Sequence, residues 1–352
     1  MEDWNLRQTK VPNIGDLMNN TDAKYTRFAL CKEMLETPDV MRNFNAESVA
    51  PLAALVKDAS KIMLTGEGSS RIFPAKRAIV EALRQGLTAP VTEGATQAME
   101  YKLSDYGILG ASNSGRTREL VRLFRKLREE GHKQLAGLCA HPNTPLEEAS
   151  DAYMVLGCGN EEAVAATKSV AEQAMAWQTL FASLNGQELP PVEQGAAAVQ
   201  QALTVDVPEE FSSAMANART IFFAGRNDGV AEELTLKTNE IVRKTSDYLE
   251  GTYVAHGIEE IMREDDVIIL VNPFPEEEEK IRECVAQGVG AKVFAIASRD
   301  TLFPTLRVPE AGEWNEYVLL AAGWNLLVEA GIAAGIDLDK PERARKVGNE
   351  VD

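Results

Sequence analysis

Three ionisable residues, Glu233, Lys237 and Glu240, have a spacing that would place them on one face of a helix. They stand at positions i, i+4 and i+7, which fall on neighbouring turns. A carboxylate in such a group could act as the base that moves a proton between C1 and C2 in an aldose–ketose isomerisation. The residues alone fit a solvated, salt-bridged helix face better. Both interpretations stay open at this point.

A second group of polar residues, Ser112-Asn-Ser-Gly-Arg-Thr117, follows the apolar segment that ends at Ala111. A segment with apolar residues at helical spacing comes next, so the group forms a predicted strand-to-helix turn. The amides at a helix start are free and carry partial positive charge, and the hydroxyls of Ser112, Ser114 and Thr117 can add hydrogen bonds. The turn therefore suits a phosphate monoester. Plain helix capping explains the same residues equally well.

Two further turns carry hydroxyl groups: Gly66-Glu-Gly-Ser-Ser70 and Val164-Ala-Ala-Thr-Lys168. Three such turns at the carboxyl ends of strands can converge on one crevice. The chain contains neither GxGxxG nor GxxxxGK[ST], which argues against a dinucleotide or nucleoside triphosphate site.

The elements that must position these residues repeat along the chain. Each half opens with an apolar strand that ends in a glycine-containing turn, at residues 61–70 and 219–228, and further strands alternate with helices. The predicted strands are Tyr106–Ser112, Leu135–Cys139, Asp266–Asn272 and Lys292–Ala297. This alternation predicts an α/β fold in which parallel sheets are covered on both faces.

Composition excludes several classes of function. The chain has 36 basic and 54 acidic residues, a formal charge of −18, so we expect no nucleic acid partner. It has no long apolar run and no signal-like start, so we expect no membrane span and a cytoplasmic location. The cysteines and the three histidines are dispersed, so we expect no disulfide framework and no metal site. No cofactor is expected.

The three turns resemble, in order and spacing, those of the sugar-isomerase (SIS) domain family. From about Tyr25 onward, the chain resembles the isomerase portion of the glucosamine-6-phosphate synthases. The resemblance implies two tandem SIS domains, each a flavodoxin-like three-layer sandwich. We place an N-terminal helical extension at 1–44, a phosphosugar-binding domain at 45–185, a catalytic domain at 205–335, and a tail that enters the active site at 336–352. A polar linker with two prolines is predicted near Gly186–Gln194.

The resemblance also assigns roles to individual residues. The phosphosugar would be bound by Ser69, Ser70, Ser112, Asn113, Ser114 and Thr117, and lined by Val164, Ala165 and Thr167. Glu240 resembles the base, and His256, sixteen residues beyond it, resembles the ring-opening residue. Glu233 and Lys237 resemble supporting groups, and Lys346 resembles a lysine that forms a Schiff base with an open-chain ketose.

We therefore expect an enzyme acting on a hexose or amino-sugar 6-phosphate. No glutaminase domain precedes the repeats, so we expect no glutamine-dependent synthesis. The remaining options are the conversion of glucosamine 6-phosphate to fructose 6-phosphate plus ammonia, and aldose–ketose isomerisation. Arg116, which replaces an acidic residue usual in the synthases, and the tail lysine favour the first. The alternatives are a deglycase of phosphorylated sugar–amino-acid adducts and a non-catalytic phosphosugar sensor. The resemblance further implies a homodimer with shared active sites, in which His256 acts in the neighbouring subunit, although the short spacing from Glu240 leaves an arrangement within one chain open.

Overall fold

Two five-stranded parallel sheets with the same strand order form the framework of this computed structural model, which describes residues 17–345 and 349–351. The first sheet consists of β1 (Lys61–Gly66), β2 (Val91–Gly94), β3 (Tyr106–Ala111), β4 (Leu135–Cys139) and β5 (Ala152–Val155). The second consists of β6 (Thr220–Gly225), β7 (Thr245–Glu250), β8 (Val267–Val271), β9 (Lys292–Ala297) and β10 (Thr305–Arg307). The orders, β2-β1-β3-β4-β5 and β7-β6-β8-β9-β10, both follow the flavodoxin-like pattern 2-1-3-4-5. The predicted fold of two tandem α/β domains is confirmed.

Helices cover both faces of the sheets. In the described residues they are α1 (Ala23–Thr26), α2 (Ala29–Arg42), α3 (Ala50–Val56), α4 (Ile72–Arg84), α5 (Ala95–Ala98), α6 (Arg118–Glu129), α7 (Pro145–Ala149), α8 (Lys168–Leu184), α9 (Val192–Leu203), α10 (Glu209–Asn217), α11 (Val230–Ile241), α12 (Glu278–Ile281), continued by a π-helical segment Arg282–Val289, and α13 (Asn315–Ala333). Short 3-10 turns connect several of these elements.

One large apolar cluster joins the two halves. It combines buried side chains of α2, α8, α9, α10, α11 and α13 with one face of the second sheet. The face is set by alternation along β6, where Ile221 and Phe223 point into this cluster while Phe222 and Ala224 point into a separate cluster on the other face. The helix α11 is thereby held on the side of the second sheet that faces the first domain.

The predicted strands lie where the apolar runs indicated, but four strands were missed. These are β2, β5, β7 and β10, which form the outer edges of the two sheets. Strands β2 and β7 are mostly exposed or half-buried and read Val-Thr-Glu-Gly and Thr-Ser-Asp-Tyr-Leu-Glu. An edge strand lacks the continuous apolar run that marks a strand buried on both faces.

The domain limits 45–185 and 205–335 remain a prediction. Helix α9 lies between them and α2 packs against it, both within the shared cluster. The polar linker is shorter than expected, because α9 already begins at Val192. Among the described residues, the helical stretch Gly312–Ala333 is long and apolar enough to cross a bilayer, but 83% of its apolar window is buried inside the protein, as in a core helix.

Candidate active site

The hydroxyl-bearing turns after β1 and β3 lie side by side at the carboxyl edge of the first sheet. Strands β1 and β3 are neighbours in the sheet, and the chain leaves this point in opposite directions to β2 and β4. Such a switch point is where open parallel sheets bind ligands. The fold therefore brings Ser69 and Ser70 next to the turn Ser112–Thr117, as the three-turn hypothesis required.

The turn after β3 is fixed by its own hydroxyl groups. The Ser112 Oγ accepts a hydrogen bond from the Gly115 amide at 3.0 Å and lies 2.8 Å from the Thr117 Oγ1, and the Ser114 Oγ accepts from the Arg116 amide at 3.1 Å. Gly115 has φ +66°, and a Cβ there would lie 2.5 Å from the Thr144 Oγ1. Only glycine fits this position without strain.

Three backbone N–H groups of this turn are available to a ligand. The amides of Asn113, Ser114 and Thr117 meet no acceptor within the part of the chain that the structure describes. They precede α6, a twelve-residue helix whose N-terminal end carries partial positive charge. Together with the hydroxyl groups, they form a suitable site for a phosphate.

The third turn already contains an anion. The Glu161 carboxylate is 3% exposed and accepts hydrogen bonds from the amides of Thr167, at 2.8 Å, and Ser169, at 3.3 Å. Its other oxygen accepts from the Asn113 Nδ2 at 2.5 Å. Because these amides at the start of α8 are occupied, the segment that carries Val164, Ala165 and Thr167 is suited to contact the sugar rather than the phosphate.

The predicted catalytic triplet on α11 faces this site and is buried. Glu233 and Lys237 are both 0% exposed. The Lys237 ammonium lies 2.7 Å from the Glu240 Oε2 and 3.4 Å from the Glu233 Oε1, and it donates to the Ser69 Oγ at 2.8 Å. A solvated helix face is therefore excluded for Glu233 and Lys237. The side chain of Glu240 is 24% exposed, so it is the member of the triplet that a ligand can reach.

Charges within the triplet oppose the cost of burial. Burial, the largest effect, lowers the pKa of Lys237, but the negative charges of Glu240 and Glu233 outweigh it, and the net pKa is raised. Burial raises the pKa of Glu233, and the neighbouring ammonium reduces that rise without cancelling it. Lys237 therefore holds its proton more tightly than a free lysine, and its ammonium contacts both carboxylates.

The fold does not bring His256 to Glu240 within one chain. His256 is exposed, and although its amide donates to the Tyr253 carbonyl at 3.1 Å, its ring makes no hydrogen bond within the described residues. Its neighbours Val254 and Ala255 pack into the cluster on the face of the second sheet opposite α11. Although only sixteen residues separate Glu240 from His256 in sequence, the sheet lies between them.

Lys346 lies outside the described residues, but the chain just beyond it is placed. The Arg118 amide donates to the Asn349 carbonyl at 3.1 Å, and the Val351 amide donates to the Arg116 carbonyl at 3.0 Å. Residues 349–351 thus pair with the first residue of α6 and with the backbone of the turn Ser112–Thr117. We call this turn the phosphate turn, after the ligand predicted for it.

Sequence reasoning missed Glu161 as a part of this site. It is one of two consecutive acidic residues in a loop without regular structure, and nothing in its spacing distinguishes it from a solvated glutamate. Only the folded positions of Asn113 and Thr167 show what it does.

The chain is similar to known proteins in sequence and in fold. Residues 55–183 match the model of the SIS domain. The glutamine–fructose-6-phosphate aminotransferase (isomerizing) of Methanocaldococcus jannaschii is 26% identical over 354 residues, covering 94% of this chain and 32% of the relative. This chain therefore spans about a third of the length of that relative.

Solved structures share the whole fold. The tagatose-6-phosphate ketose/aldose isomerase of Escherichia coli superposes with a TM-score of 0.75 at 17% identity, covering 91% of this chain and 97% of that one. The glucosamine-6-phosphate deaminase of Thermotoga maritima gives a TM-score of 0.69 at 18% identity, covering 92% and 99%.

Removing the buried ammonium should destabilise the protein in a pH-dependent way. Lys237→Met leaves Glu233 buried without its cation, and we expect a loss of about 3–5 kcal/mol in the free energy of unfolding at pH 7.5. The pKa of Glu233 then rises further above its ordinary value of 4.5, so the folded state binds its proton more tightly than the unfolded state. Stability is therefore lost as the pH rises above about 4.5. Denaturant unfolding at pH 5 and pH 8 measures the difference.

Two controls accompany this measurement. Adding Glu233→Gln to Lys237→Met should recover most of the loss and flatten its pH dependence. Lys126→Met, which breaks an exposed ion pair with Glu130, should cost less than about 1 kcal/mol. If Lys237→Met lost the same free energy of unfolding at both pH values, Glu233 would not be the buried carboxylate that is left without a partner.

Proposed function

We propose that this chain, a protein of two tandem SIS domains, is an enzyme that moves a proton between C1 and C2 of a hexose or amino-sugar 6-phosphate, with glucosamine 6-phosphate as the favoured substrate. The observation that carries the proposal is the position of Lys237. Its ammonium touches both Ser69 of the phosphosugar site and Glu240, the accessible carboxylate. A base is thereby held next to an anion site at the switch point of the first sheet.

Each part of the site has a step to perform. The free amides and hydroxyls of the turn 112–117 hold the phosphate, and the segment 164–167 lines the sugar. The Glu240 carboxylate takes the proton from C2 of the open-chain sugar and returns it to C1. Lys237 stays protonated and fixes the orientation of Glu240, because the charges of Glu240 and Glu233 raise the pKa of its ammonium.

The same proton transfer accounts for deamination and for isomerisation. With an amine on C2, moving the C2 proton to C1 and one amine proton to O1 turns the C1 aldehyde into a hydroxymethyl group and leaves an imine at C2. Water adds to the imine carbon and ammonia leaves, which yields fructose 6-phosphate. With a hydroxyl on C2, the transfer yields the ketose directly, and nothing leaves.

A panel of hexose and hexosamine 6-phosphates, with ammonia and ketose measured together, tests the proposal. We expect ammonia and fructose 6-phosphate in equal amounts from glucosamine 6-phosphate. Glu240→Gln should fold normally and lose about 10²–10⁴-fold in kcat, the usual contribution of a general base. Release of an amino acid from a phosphorylated sugar adduct would instead identify a deglycase. Binding without turnover in the wild type would identify a sensor.

Removing hydroxyl groups from the phosphate turn should weaken substrate binding. Ser114→Ala with Thr117→Ala removes two donors to the phosphate, and each hydrogen bond to a charged group contributes roughly 1.5–3 kcal/mol. We expect KM for the sugar 6-phosphate to rise by at least about tenfold per residue. The exposed Ser104→Ala on the same domain serves as the control and should leave KM unchanged. A double variant with the wild-type KM would mean that the phosphate binds elsewhere.

We also propose that His256 opens the sugar ring in the active site of a second copy of the chain. Its exposed position on the face opposite α11 supports an isologous dimer with shared sites. Glu240→Gln and His256→Ala should each be nearly inactive alone. A heterodimer of the two variants has one site with both defects and one with neither, so co-refolding should restore up to one working site per dimer. Purified heterodimers that remain inactive would place both residues in one chain and remove the need for the dimer.

A further inference from the structure

Glu161 connects the two parts of the site that would hold opposite ends of the substrate. It lies in the loop between β5 and α8, and its carboxylate is 3% exposed. One oxygen accepts from the amides that begin α8, and the other accepts from the Asn113 Nδ2 and from the Ser169 Oγ, each at 2.5 Å. No other described side chain links the phosphate turn directly to the sugar-lining segment.

These contacts fix the Asn113 side chain as well as the loop. The Asn113 Nδ2 donates to Glu161 and also to the Ser169 Oγ, at 2.9 Å. Both of its hydrogens are then used, so its orientation cannot invert without losing both bonds. Hydrogen bonds to an ionised acceptor are about twice as strong as neutral ones, which makes a carboxylate the most rigid connection available here.

We propose that Glu161 is a positioning residue that sets the distance between the phosphate turn and the sugar-lining segment, so that a bound sugar phosphate presents C1 and C2 to Glu240. The inference rests on the proposed function. Glu161 is not expected to touch the substrate, because it is 3% exposed and both of its carboxylate oxygens already accept hydrogen bonds from the protein.

A second buried glutamate at the same loop provides a matched control. Glu172 on α8 is 2% exposed, and its oxygens accept from the amides of Gly157 and Cys158, both at 2.7 Å. It therefore fixes the loop in the same manner and at the same depth. Within the described residues, none of its hydrogen bonds reaches the turn 112–117 or the segment 164–167.

The experiment compares Glu161→Gln with Glu172→Gln in the full chain. Steady-state kinetics with the best sugar 6-phosphate, inhibition by inorganic phosphate and thermal unfolding are measured for both. We expect Glu161→Gln to lose roughly ten- to hundredfold in kcat/KM, because two charge-assisted contacts between the two parts of the site are lost. Its inhibition constant for inorganic phosphate should stay within about threefold of the wild type, since that probe needs only the phosphate turn. Glu172→Gln should lower the unfolding temperature to a similar extent and change kcat/KM by less than about threefold.

Ser169→Ala keeps the test decisive if Glu161→Gln does not fold. It removes one donor to the carboxylate and the second acceptor of Asn113. We expect kcat/KM for the sugar phosphate to fall roughly three- to tenfold, while the inhibition constant for inorganic phosphate stays near that of the wild type. Wild-type kcat/KM in the glutamate variant, or equal losses for both ligands, would overturn the inference alone. A wild-type chain that neither binds nor converts any sugar phosphate of the panel would overturn the proposed function and this inference with it.

Discussion

The ammonium of Lys237 is the interaction on which the rest of the site depends. It is fully buried between two carboxylates of its own helix and the Ser69 hydroxyl of the other domain. Taking such charges out of water costs several kcal/mol per ion, and only close opposite charges and hydrogen bonds offset this cost. The two domains must therefore pack in one relative position, because a shift of a few ångströms would leave a buried charge without a partner.

The shared apolar cluster holds the two domains in this relative position. Helices α2, α9 and α13 pack between the domains and hold α11 against the first domain. The Lys76 side chain of α4 adds polar contacts across the same boundary to Asn227 and Glu232. Apolar burial provides most of the free energy that holds the domains together. The polar contacts favour the one arrangement in which each of these contacts is made.

Much of the fold and part of the site could be predicted from sequence. The central strands are continuous apolar runs, and Gly115 marks a turn that needs a positive φ; both are local signals. The spacing of Glu233, Lys237 and Glu240 predicted a shared face, but not whether that face was buried. That depends on α11 meeting Ser69, which is 168 positions away in the chain. Glu161 was missed for the same reason, since its partners on the phosphate turn are distant in sequence. The edge strands β2 and β7 were missed because their half-exposed, largely polar sequences resemble loops.

The second sheet repeats the strand order of the first, but its switch point carries different chemistry. Where β3 leads into hydroxyl groups and free amides, β8 leads into Asn272-Pro273-Phe274-Pro275, and the Arg226 guanidinium stacks on the Phe274 ring at 4.1 Å. Proline has no N–H to donate, so the loop after β8 lacks the set of free backbone N–H groups found in the turn after β3. The two repeats therefore contribute differently: the first offers backbone N–H groups at its switch point, and the second contributes the helix that carries Glu240.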